Sequence, residues 1–329
     1  MTAASTATGA FRELGERFGN AWNRFWFTPA DPLPLCLLRV LAGSMALYLH
    51  ATYTPDLLRF FGANGLLPVE TVRQLRGDSF ALSYLDYLSG GTELRVAHAL
   101  GFVVLACFTL GFFTRTASVG ALVVVLSYIH RGPWLTHLVE PILAFVLIYL
   151  CLAPCGRYLS IDRWLALRNA ARRGVPPASL ERQSVAANVA LRLLQIHLAL
   201  VYLMMAAGKL SGAALEAGPV WWTGEALWWL IAKPESRLVD LTGLHQHPYV
   251  INAWTHAVAW GELAFGLLIF NRWARPPLLA LATVLWISLA AVTGFVPFCA
   301  TMIFANAVFL SPGALRRWFG GMGAADPGR

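Results

Sequence analysis

The stretch NVALRLLQIHLALVYLMMAAGK, residues 188–209, decides the class of fold. Apart from Asn188, Arg192, Gln195, His197 and the closing Lys209, it consists of apolar and small residues. As an α-helix it would be about 33 Å long, close to the thickness of a bilayer's hydrocarbon core. Seven further runs share its character, at 34–53, 95–113, 116–130, 137–154, 250–270, 276–294 and 297–311. Those at 116–130 and 297–311 are short for a crossing. The whole chain of 329 residues is 57% hydrophobic and 13% charged, with a mean hydropathy of +0.59. That composition excludes a disordered chain and an ordinary soluble enzyme. The expected fold is all-α, a polytopic membrane protein with about eight transmembrane helices.

Charge sets the expected orientation. The chain carries a formal +8, which in a soluble protein would point to nucleic acid but in a membrane protein mainly marks the cytoplasmic side. With the amino terminus inside and the segments alternating, fifteen Lys/Arg fall on inner segments and eight on outer ones, with Arg39 and Arg192 inside spans. Both termini are therefore expected in the cytoplasm of a cell-membrane protein, with the bilayer as partner and no nucleic acid. Residues 1–30 lack the apolar core of a cleavable signal and read as an amphipathic cytoplasmic segment, with Arg12, Arg17 and Arg24 among Phe and Trp. A single membrane domain is expected over 31–315, then a cytoplasmic tail over 316–329. Between spans, the Trp221-Trp222 and Trp228-Trp229 pairs read as a short helix lying along the outer membrane surface. The five cysteines make no zinc-type CxxC pair, so no metal site is expected.

Ionisable groups inside spans cost several kcal/mol in hydrocarbon unless paired or wetted. Arg39, Arg192, His197 and Glu262 qualify, and the depths of Arg39 and Glu262 from the cytoplasmic end suit a structural ion pair. Toward the outer boundary lie His130, Arg131, His137, Glu140, Lys209, Glu216, Glu225, His245, His247 and His256. Only Lys209 and Lys233 are lysines among 25 Lys and Arg residues. A lysine amine, unlike a guanidinium, can shed its proton when desolvated, so Lys209, preceded by small Ala206, Ala207 and Gly208, reads as a base. The bland alternative is a lysine that snorkels at a helix end.

The run Asp31-Pro-Leu-Pro-Leu-Cys-Leu-Leu-Arg39 and the segment His130-Arg-Gly-Pro-Trp134-Leu-Thr-His137 resemble the HTTM domain, as do Ser160-Ile-Asp162, Val201-Tyr202 with Gly208-Lys209-Leu210, and Glu262-Leu263 with Gly266. This is the membrane domain of vitamin K-dependent gamma-carboxylases and of bacterial homologues, and the resemblance covers roughly residues 25–315. It implies Lys209 as the base that deprotonates a reduced quinone and His137 as its catalytic partner, with Trp134, Tyr202 and Trp222 as quinone-binding residues. It further implies dioxygen and carbon dioxide as co-reactants. The carboxylases' large lumenal carboxy-terminal region is not matched, and Gly294-Phe-Val-Pro-Phe-Cys299 has no counterpart of a family histidine.

Two functions follow as expectations. One is a quinol- and dioxygen-dependent, carboxylase-like enzyme with an outward-facing site under the Trp221–Trp229 segment. The other is a non-catalytic membrane module that binds lipid or quinone, or that helps to mature an exported peptide with a partner protein. A transporter ranks below both, because no pair of Gly/Pro-broken spans marks corresponding halves.

Overall fold

The computed structural model describes residues 2–77, 81–88, 90–176, 183–211, 220–234 and 237–320. Asp78, Arg182, Gly212, Glu216 and the last nine residues of the expected tail lie outside these. Among the described residues the chain is helical, with no β-strand. In chain order the helices are α1 (Thr2–Phe27), α2 (Leu33–Thr52), α3 (Leu57–Phe61), α4 (Val69–Arg76), α5 (Gly91–Leu110), α6 (Thr114–Arg131), α7 (Val139–Leu152), α8 (Ile161–Arg172), α9 (Val185–Leu210), α10 (Val220–Thr223), α11 (Ala226–Ile231), α12 (Pro248–Leu268), α13 (Arg275–Thr293), α14 (Val296–Asn306) and α15 (Pro312–Gly320).

Each of the eight apolar runs lies on a helix. Four of these, α2, α5, α9 and α13, are long and apolar enough to cross a bilayer. The pair Val296–Phe309 and Pro312–Trp318, bent by 113°, would make a fifth span, and α7 is apolar but shorter. The exposed side chains point to the same environment: Val96, Leu100 and Val103 on α5, Leu200 and Met204 on α9, and Leu281, Val284 and Ile287 on α13 are apolar and open to the outside. Their three- and four-residue spacing makes stripes on the bundle's perimeter, an arrangement that water disfavours and acyl chains accept.

Sequence signals at the helix ends explain how the bundle is cut. Pro32 and Pro34 open α2, Pro297 opens α14, and glycines in the left-handed region, Gly111 (φ 70°) and Gly294 (φ 68°), close α5 and α13. Ser160 caps α8 by accepting the Arg163 N–H at 3.0 Å. The Asp162 carboxylate caps α6, accepting N–H bonds from Phe113 (3.0 Å) and Thr114 (2.8 Å) and the Thr114 hydroxyl (2.6 Å). Ser160-Ile-Asp162 thus ties α8 to the start of α6, a structural use of that motif.

One buried cluster runs from Leu35 on α2 to Phe309 after α14. Within it α9 packs against α12, where Gly266 lets the helices close up: a β-carbon there would lie 2.5 Å from Leu203 Cγ and 3.0 Å from the Ala199 carbonyl oxygen. In lipid such contacts hold helices together by packing, since acyl chains are as apolar as leucine.

Candidate functional site

Two polar regions emerge from this packing. The first lies between α9 and α12. Lys209 Nζ donates to Glu262 Oε1 at 2.8 Å and to Oε2 at 2.6 Å. The Glu262 side chain is 5% exposed and that of Lys209 18%, so both charges are largely withdrawn and each satisfies the other. The ammonium also lies 5.2 Å from the Trp221 ring centroid. Glu262 is fourteen residues past Pro248, which places the pair about 21 Å along α12. Lys209 therefore sits deep beside the middle of α12.

Three expectations change here. Arg39 does not pair with Glu262; its Nη2 donates to the Leu159 carbonyl, and its guanidinium occupies the space beside Gly111 where a side chain would stand. The reason is lateral: α2 packs on α5, α7 and α14, whereas α12 packs on α9, α13, α10 and α11. Matching depth says nothing about adjacency. The Trp-rich segment is not one helix but two short ones, α10 and α11, held against α12. Trp222 donates its indole N–H to the Leu210 carbonyl at 2.6 Å and meets Trp260 edge-on, while Asn252 donates to the Thr223 carbonyl at 2.8 Å. Tyr202 is buried in a closed network, its hydroxyl accepting N–H bonds from Trp286 (2.7 Å) and Asn306 (2.9 Å) and its ring stacked 3.9 Å from Phe265. The quinone-binding expectation for Tyr202 thus meets a residue already engaged in packing, whereas Trp222 stays half exposed.

The second region is a cavity of about 570 Å³ between the end of α2, the start of α7 and the turn from α13 to α14. Its walls include Leu49, Phe295, Pro297 and Phe298, with His137 and Glu140 as the ionisable groups. That volume falls in the range of small-ligand sites, and an apolar wall with a few convergent polar groups is their usual chemistry. Glu140 accepts the His137 backbone N–H at 2.9 Å, which fixes the turn into α7 and puts a carboxylate at a helix start, where the dipole favours it. Exposed Leu138 and Phe295 lie in the cavity wall, and Trp134 stands exposed three residues before His137. Lys209 is not part of this wall, so the expected catalytic pair Lys209 and His137 divides between the two regions.

Sequence reasoning passed over the group that matters most in the second region, Glu140, treating it as one of many boundary residues. The signal available was its position three after His137 at a helix start. It also missed a charged knot in which Arg76 grips both Asp86 oxygens at 2.8 and 2.7 Å, with the wholly buried Arg131 3.6 Å from the same carboxylate. The cysteines stay free thiols, and burial pushes Cys155 up to about 12, which makes it inert as a nucleophile.

No family model, curated protein or solved structure matches the chain. Fold and site together define a class, that of all-helical proteins whose apolar helices suit a bilayer. Within that class this chain is marked by a buried Lys–Glu pair and, apart from it, a ligand-sized cavity edged by His137 and Glu140.

Proposed function

We propose that the chain is an integral membrane protein of HTTM-like type, crossing the bilayer about eight times with both termini in the cytoplasm. It takes a reduced-quinone-class ligand from the lipid into the cavity beside His137 and Glu140. The observation that carries this reading is the cavity itself: ligand-sized, apolar-walled, with two ionisable groups at one edge and an opening rimmed by exposed apolar side chains. A flat aromatic ring with a hydroxyl or carbonyl head and an isoprenoid tail suits those features, the head toward His137 and Glu140 and the tail toward the acyl chains.

Carboxylase-like chemistry with dioxygen and carbon dioxide asks for Lys209 as a free amine next to the ligand. Its ammonium is instead held by both Glu262 oxygens, outside the cavity wall. That arrangement supports ligand binding over proton abstraction by Lys209. Protein in lipid nanodiscs titrated with a short-chain naphthohydroquinone under anaerobic conditions gives saturable quenching of tryptophan fluorescence. His137→Ala weakens binding by about tenfold, the worth of one hydrogen bond to the head group. Non-saturable quenching that is unchanged in His137→Ala contradicts the proposal.

A further inference from the structure

Behind the ligand cavity lies a second, much smaller one. Its volume is about 20 Å³, and its polar lining is Glu140, His50, Tyr53 and Tyr128. Glu140 and Leu49 belong to both walls. A space of this size holds about one water, which is retained where it finds two to four polar partners. Here those partners are at hand.

Tyr128 continues inward. Its hydroxyl lies 2.7 Å from His98 Nδ1, and His98 Nε2 lies 2.9 Å from the Thr54 hydroxyl. Thr54 and His98 in turn line a third pocket of about 470 Å³, whose charged groups are Arg59 and Arg95. His50 braces this line: it donates from Nε2 to the His98 carbonyl at 3.0 Å and stacks 4.1 Å from the His98 ring. That fit depends on Gly101, where a β-carbon would come within 2.7 Å of His50 Nε2. Glu140 and Tyr128 at the small cavity, then His98 and Thr54, thus make a polar line from the ligand cavity toward the pocket that holds Arg59 and Arg95, with a water in the small cavity joining its first two members.

We infer that this line is a proton relay, through which a hydroxyl proton of the cavity's ligand reaches the Arg59/Arg95 pocket; it rests on the ligand reading above. The ligand O–H bond breaks as a Glu140 O–H bond forms, and the ligand remains as its conjugate base. Glu140 passes the proton to the water in the small cavity, and the water passes one of its own to Tyr128 Oη. The Tyr128 phenolic proton moves to His98 Nδ1, and the proton on His98 Nε2 leaves by way of Thr54. Every group gains one proton and releases one, and no electron moves. An opening lined by exposed Leu138 and Phe295 offers the proton no exit toward acyl chains. Arg59 at the far end is paired with Asp56 at 3.6 Å, so the far pocket is not purely cationic.

A 3-alkyl-2-hydroxy-1,4-naphthoquinone tests this, because its orange-red anion absorbs at longer visible wavelengths than its yellow neutral form. Bound to the nanodisc-embedded protein under excess protein, it is subjected to a rapid pH jump. In the unaltered protein the colour follows the new pH within the mixing time. Tyr128→Phe and, independently, His98→Gln lie outside the ligand wall; they keep the affinity and slow the colour change by about a hundredfold, the low end of what a positioned proton-transfer group contributes. If both variants bind the dye and recolour as fast as the unaltered protein, the relay is wrong and the ligand reading stands. If the unaltered protein shows no saturable binding of the dye, the ligand reading fails and the relay with it.

Discussion

Two of the regions that concentrate ionisable side chains treat them in opposite ways. Between α9 and α12 a lysine and a glutamate are spent on each other at 2.6 and 2.8 Å, with the Trp221 ring beside the lysine. Between α2, α7 and the α13–α14 turn, His137 and Glu140 border open volume instead. A buried pair held by two mutual hydrogen bonds has little capacity left for a substrate, and removing either partner strands a charge. Polar groups beside a ligand-sized space keep that capacity. The difference teaches that a charge's rarity in the sequence is a weaker guide to function than what its neighbours leave unsatisfied.

The largest expected effect breaks the first region. Glu262→Ala leaves the Lys209 ammonium buried without its partner and costs about 3–5 kcal/mol of stability, read as a lowered melting midpoint in nanodiscs. Lys209→Met combined with Glu262→Leu removes both charges and restores most of it. A well-folded double variant that no longer binds ligand would overturn the contrast between the regions. Next in size, Tyr202→Phe deprives the buried Trp286 N–H of its acceptor and costs about 1–3 kcal/mol, with ligand affinity unchanged. Loss of binding without loss of stability would instead place Tyr202 at the ligand.

Phe295→Ala sharpens the second region by trimming its rim. It lowers ligand affinity by about tenfold while the melting midpoint stays close to that of the unaltered protein. The smallest effect is a pH response away from both regions. The Thr242 N–H and hydroxyl, at 3.0 and 2.7 Å, hold the Asp240 carboxyl below the usual aspartate range. A lowered folded value means that this support is complete above the unfolded value and is lost as pH falls through the folded one. The protection of the Thr242 amide against hydrogen exchange, relative to its intrinsic rate, therefore falls only in acid, below the ordinary aspartate range, and Asp240→Asn removes that response. An exchange profile identical in the variant contradicts the assignment.

Helices were the most legible part of the molecule in its sequence. The run 188–209 lies on Val185–Leu210, 276–294 on Arg275–Thr293, and 34–53 on Leu33–Thr52, because apolar length together with proline and glycine punctuation is local information. Lateral neighbours were not legible. Arg39 and Glu262 matched in depth, yet α2 and α12 face different partners, and Lys209 found Glu262 because α9 stops beside the middle of α12. The candidate site was half legible: His137 was singled out, whereas Glu140 and the line through Tyr128 and His98 depend on cavities that appear only once α2, α5, α6 and α7 are packed. The segment 55–91 held further structure, α3 and α4, whose short polar turns gave no apolar period to read.

The most direct test of the account is where a ligand lands. A naphthohydroquinone bearing a photoreactive group on its ring is equilibrated anaerobically with the protein in nanodiscs and irradiated, and the labelled peptides are identified by mass spectrometry. The account predicts labelling at residues 136–140 and 294–298 that excess unlabelled hydroquinone suppresses. Suppressible labelling around Lys209, Trp221 and Glu262, with none at His137 and Glu140, would contradict it.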